Sequence, residues 1–125
     1  MHEQKVVKKW GLERWLHNDQ KYCMKVLEIN PGYQSSMHFH RTKEETFLVV
    51  QGKIKLEVMP HYRRSSEVGD VVKRIYLQPF QAYTLEPYTP HRFTAIGGRA
   101  IVVEASMRHD DDDVVRLEES KQIER

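Results

Sequence analysis

The sequence predicts an all-β sandwich or barrel, and three observations carry that expectation. About nine or ten short apolar runs are separated by Gly, Pro, Asn and Asp turn signals. Several runs alternate polar and apolar side chains with the period of a strand, and none shows the 3.6-residue period of an amphipathic helix. At 125 residues the chain is long enough for one core and too short for two comfortable ones, so a single domain over residues 1–125 is expected.

Lys5–Trp10 alternates loosely, and Gly11 interrupts it before Glu13–His17, which reads as a short hairpin. Asn18-Asp19 follows as a turn, since both side chains bond their own backbone and tolerate left-handed geometry. Tyr22–Ile29 is a strand with Lys25, Leu27 and Ile29 on one face and Met24, Val26 and Glu28 on the other, ended by Asn30-Pro31-Gly32. The apolar run Glu45–Val50 turns at Gln51-Gly52 into Lys53–Val58, the clearest alternation in the chain, with Ile54, Leu56 and Val58 facing a core. Pro60–Gly69 is polar, contains His61 and reads as a surface loop. Val71–Leu77, Ala82–Leu85, His91–Ile96 and Arg99–Ala105 complete the strands, with turns at 78–81 and Gly97-Gly98. Residues 110–125 open with four aspartates and read as a charged tail, either a short helix or a frayed end.

Charged residues are 30% of the chain and the net charge is only +2, which excludes the concentrated basic footprint of a nucleic-acid binder. The single cysteine, Cys23, excludes an internal disulfide framework and fits a reducing compartment, where it reads as a small buried residue. No apolar run can cross a bilayer and no N-terminal apolar segment resembles a leader, so no membrane partner and a cytoplasmic location are expected.

The densest chemistry lies in Gly32–Gly52, which reads Gly-x5-His38-x-His40-x4-Glu45-x6-Gly52. On a strand, His38 and His40 face the same side and reach one ion together, and Glu45 adds a carboxylate if its strand pairs with theirs. Two imidazoles and a carboxylate suit a divalent Zn, Mn, Fe, Ni or Co ion. Lys25 beside two aliphatics on one strand face points toward an enclosed space or stands at its rim. His2, His17 and His109 have no partner pattern and read as surface residues. Tyr83 is the aromatic whose hydroxyl best suits sugar recognition.

This spacing is similar to the first signature of the cupin superfamily, and Pro90-His91-Arg92-Phe93 resembles the histidine of the second, with Glu86 and Tyr88 where the family usually has Pro and Gly. The resemblance implies a cupin-type jelly-roll barrel holding one metal ion by His38, His40, Glu45 and His91. Such a set leaves positions open for water or substrate. Across most of the chain, the order Trp10-Gly11, Tyr22…Lys25, Pro31-Gly32, Ser35…Arg41, Val49…Gly52, Pro90-His91-Arg92, Glu104 and Asp112…Arg116 resembles the cupin domain of type II mannose-6-phosphate isomerases. That implies a metal-dependent isomerase or epimerase of a sugar or sugar phosphate.

Isomerisation needs a proton moved between C1 and C2 by a group with a pKa near neutrality. Glu44 and Glu86 are candidates for the base, Lys25 for a donor to substrate oxygen or an anionic group, and Arg92 for a phosphate, although Arg92 alternates with His91 along its strand. A mononuclear iron dioxygenase and a non-catalytic sugar-binding cupin are the alternatives; apolar walls around the metal favour the former. Apolar strand faces near Trp10 and Trp15 point to a homodimer.

Overall fold

The computed structural model describes residues 3–60, 62 and 72–123. His2, His61 and residues 63–69 of the polar loop lie outside the described residues. The strands are β1 (Gln4–Lys8), β2 (Gly11–Asn18), β3 (Cys23–Ile29), β4 (Tyr33–Gln34), β5 (Met37–His40), β6 (Glu45–Gln51), β7 (Ile54–Val58), β8 (Lys73–Leu77), β9 (Ala82–Leu85), β10 (His91–Ala95), β11 (Ala100–Ser106), β12 (Val114–Glu118) and β13 (Lys121–Gln122). One sheet runs β1-β2-β3-β11-β6-β9; the other runs β12-β5-β10-β4-β13, with β7 joining β10 to β8.

The turn chemistry acts as the residues predict. Asp19 Oδ1 accepts the amides of Lys21 and Tyr22 at 2.8 and 3.0 Å, which reverses the chain between β2 and β3. Gly52 closes the β6–β7 hairpin at φ +80°, and a Cβ there would lie 2.6 Å from the Arg99 carbonyl oxygen, so only glycine fits. Tyr88 takes φ +63° ahead of β10, a left-handed position that explains why glycine suits it.

The C-terminal segment departs from expectation. Residues 110–123 form neither an α-helix nor a loose end: Asp110 caps a short 3-10 helix at Asp111–Asp113, and β12 and β13 then join the second sheet. Aspartate carboxylates bond nearby amides in preference to propagating a helix, and Val114-Val115 suits the open edge of β5, where Val114 pairs with His40 and Arg116 with His38.

Inward side chains of four strands change character along their length. Ile29 and Leu27 of β3, Val49 and Phe47 of β6, Ala95 and Phe93 of β10, and Ala100 and Val102 of β11 build the core with Trp10, Ile54, Leu56 and Val58. Trp10 meets Phe93 edge-on with ring centres 4.9 Å apart. Each fully buried aliphatic or aromatic side chain contributes about 1.5–3 kcal/mol. The next inward residues on the same strands are Lys25, Glu45, His91 and Glu104, all buried. The apolar core is therefore the floor of a polar chamber.

Candidate functional site

Period-two geometry on β5 sends His38 and His40 to the same side, and antiparallel pairing sets His91 of β10 directly opposite His38. The ligating atoms of these three histidines lie within 4.8 Å of one another. Glu45, the first residue of β6, brings Oε2 to 3.3 Å from His40 Nε2 and 3.1 Å from His91 Nε2.

The far sides of the rings fix their orientation. His91 Nδ1 is 2.8 Å from the Thr89 carbonyl oxygen, and His38 Nδ1 is 3.1 Å from the Ser36 carbonyl oxygen. A carbonyl only accepts, so His91 Nδ1 carries the proton and its Nε2 lone pair turns inward; His38 Nδ1 also meets Ser36 Oγ at 2.9 Å, a hydroxyl that can donate or accept. Nε2 of His91 is buried and makes no hydrogen bond of good geometry, although it faces a carboxylate oxygen. A lone pair facing an anionic oxygen calls for a cation or proton between them. Three imidazoles and a carboxylate are a donor set that a divalent transition metal fits.

Electrostatics of the cluster agree with this arrangement. Burial, reinforced by the neighbouring imidazoles, holds His38 well below the ordinary histidine range. Burial, then Lys43 and His91, depress His40 to about 2. Burial opposes charge on His91, but the Glu45 carboxylate outweighs it and raises that histidine's pKa. Burial likewise opposes the Glu45 anion, which His91 and Lys43 nonetheless hold at about 2.

A cavity of about 490 Å³ opens beside this cluster, lined by charged groups as well as by His38, His40 and Glu45. Lys25 is 2% exposed, with Nζ 3.0 Å from His109 Nδ1, 3.9 Å from Glu13 Oε1 and 4.1 Å above the Trp15 ring. Lys43 Nζ lies 3.4 Å from both Glu104 Oε2 and His109 Nδ1. His109 Nε2 is held by Asp111 at 2.7 Å.

The structure thus gathers His38, His40, Glu45 and Lys25 around one cavity, with His91 buried against Glu45 and the other two histidines. It does not bring Glu86 or Arg92 there. Glu86 is exposed, and strand alternation turns Arg92 to the opposite face, where it pairs with Glu57 at 2.9 Å and Glu118 at 2.6 Å. Glu44 is also exposed, and Tyr83 packs against the core. His109, read from sequence as a surface residue, lines the cavity instead, and Lys43 and Glu104 join it. Glu104 had a legible signal: it occupies an inward position on the alternating strand Arg99–Ala105. Lys43 and His109 sit outside the strands, where periodicity carries no information.

Over residues 1–119 the chain matches the family described as Mannose-6-phosphate isomerase C-terminal. It belongs to that family. Among its relatives, the D-lyxose/D-mannose isomerase of Thermosediminibacter oceani is 36% identical over 110 residues, covering 76% of this chain and 61% of the relative. The chain therefore spans about three fifths of that relative's length. Solved structures with the same fold include CapF of Staphylococcus aureus (TM-score 0.78, 19% identity, 94% of this chain and 32% of that one). KdgF of Halomonas sp. superposes with TM-score 0.70 at 17% identity over 90% of both chains. Oxalate decarboxylase of Lactobacillus farciminis does so with TM-score 0.74 at 11% identity, over 92% of this chain and 34% of that one. These identities speak for the cupin fold alone.

Proposed function

We propose that this family member is a metal-dependent isomerase or epimerase of a sugar or sugar phosphate, with His38, His40, Glu45 and His91 holding the metal. The observation that carries the reading is the three-histidine cluster, buried at His40 and His91 and half-buried at His38, with a carboxylate oxygen against two of its Nε2 atoms, beside a cavity with charged walls. The relative named D-lyxose/D-mannose isomerase supports an aldose or ketose as substrate.

A bound divalent ion would supply Lewis acidity, easing negative charge on the substrate's carbonyl and neighbouring hydroxyl oxygens. The chain's own residues do the rest. The Thr89 carbonyl keeps His91 in the tautomer that offers Nε2, and Ser36 holds the His38 ring through its carbonyl and hydroxyl oxygens. Lys25 Nζ, a buried donor on the cavity wall, would hydrogen-bond a substrate oxygen in place of His109 Nδ1. The floor of Phe47 and Phe93 would help exclude water from below. Charged walls favour a polyhydroxylated ligand over the apolar substrates that suit an iron dioxygenase.

The test is hydrogen exchange at C2 of D-mannose, D-lyxose and their phosphates in D2O, with and without chelator. Metal-dependent exchange with one of them is expected. Binding without exchange would instead assign the chain as a sugar-binding cupin.

The reading includes a homodimer. Val26, Val103 and Leu48 lie side by side on the outer face of the first sheet, beside the exposed Met24 and Val50, and a second copy would cover them. Light scattering in solution is expected to give twice the 14.9 kDa chain mass.

A further inference from the structure

Lys43 is the buried cation that the proposed reaction leaves without a task. It is 2% exposed although it belongs to the 41–44 connection and to no strand. Its inward course is imposed from the C-terminal segment. Asp113 accepts the Thr42 amide and hydroxyl at 2.9 and 3.1 Å through Oδ1 and the Lys43 amide at 3.2 Å through Oδ2. Its carbonyl accepts the Arg41 amide at 3.1 Å. The pinned connection delivers Lys43 Nζ between two buried carboxylates, 3.4 Å from Glu104 Oε2 and 3.8 Å from Glu45 Oε1.

Glu45 is therefore divided. One oxygen, Oε2, faces His40 and His91; the other, Oε1, faces Lys43. Burying an ammonium in a protein interior is unfavourable unless carboxylates and hydrogen bonds compensate it, so its placement against this one oxygen constrains the carboxylate strongly. We infer that Lys43, anchored by Glu104, is a positioning residue that limits Glu45 to one oxygen on the metal and so keeps a coordination position open for substrate. The inference rests on the metal reading above. Lys43 acts through Glu45 and touches no reacting atom.

Mn(II) loaded into the native protein and into Lys43→Met, Lys43→Arg and Glu104→Gln provides the test. The readouts are Mn(II) affinity and water-proton relaxivity per bound ion, which counts water on the metal. In Lys43→Met the freed Oε1 is expected to displace one water, so relaxivity falls by one water's contribution and affinity changes about 10-fold or more. Lys43→Arg restores both. Glu104→Gln moves both in the direction of Lys43→Met by a smaller amount, and it carries the test alone if Lys43→Met does not fold. Native protein that binds Mn(II), with both neutralising variants unchanged from it, overturns the inference and leaves the metal reading standing. Native protein that takes up none of Mn(II), Fe(II), Co(II), Ni(II) and Zn(II) overturns the two together.

Discussion

The two ends of the barrel interior are built on the same strands from opposite chemistry. On β3, β6, β10 and β11 the floor is Ile29, Leu27, Val49, Phe47, Ala95, Phe93, Ala100 and Val102, and the chamber above it is Lys25, Glu45, His91 and Glu104. The floor stabilises by removing apolar surface from water. The chamber does the reverse, since each of its charged groups loses hydration and recovers it only through partners such as Lys43 with Glu104. A short step along a strand separates residues that hold the fold from residues the fold must support. Stability and function should therefore respond separately to substitutions at the two ends.

The largest separation is expected at Glu45. Glu45→Ala removes the carboxylate that faces both His40 and His91, and kcat/KM for a sugar the native protein turns over is expected to fall roughly 10³-fold, the equivalent of losing several kcal/mol of Lewis-acid assistance. Steady-state kinetics with metal in excess would check it; undiminished turnover counts against the ligand assignment. At the other end, Leu27→Ala should cost about 2–5 kcal/mol of folding stability by urea denaturation. Its metal stoichiometry should stay at the native value, and a matching loss of metal would merge the two ends.

Lys25→Met sharpens the contrast because it changes the chamber two residues from Leu27 on the same face. Glu13 keeps Trp15 Nε1 at 2.8 Å and Lys8 at 4.0 Å, so no carboxylate is stranded. Stability is expected to move by no more than about 1 kcal/mol. Turnover should fall roughly 10-fold to 100-fold, as for loss of a charged hydrogen bond to substrate. The smallest effect lies outside both ends. Backbone amides of Tyr22 and Lys21 lower Asp19 from 3.8 to about 2, so its contribution is complete above pH 3.8 and is lost as pH falls through about 2. Asp19→Ala should therefore melt below the native protein at pH 5 and converge with it near pH 2; a gap that widens in acid contradicts this.

Much of the fold was legible because strand period and turn residues are local. The alternation in Lys53–Val58 places Ile54, Leu56 and Val58 in the core, and Lys25 shares a face with Leu27 and Ile29 as their spacing requires. His38 and His40 share a side for the same reason, and their meeting with His91 follows from the family's two signatures. What the chain order could not show was set by long-range pairing. Val114–Glu118 became a strand because β5 offers an open edge, a fact recorded nowhere near the four aspartates. His109 reached the cavity through Asp111 and Lys25, and Lys43 through Asp113. Arg92 shows the reverse: its alternation with His91 already pointed away from the site, and the ion pairs with Glu57 and Glu118 follow.

The central claim is that the charged end holds one catalytic metal ion, and elemental analysis after reconstitution and desalting tests it most directly. Native protein is predicted to retain one divalent ion per chain, and His40→Ala well below one while remaining folded. Full occupancy in His40→Ala, or none in the native protein, would contradict the account.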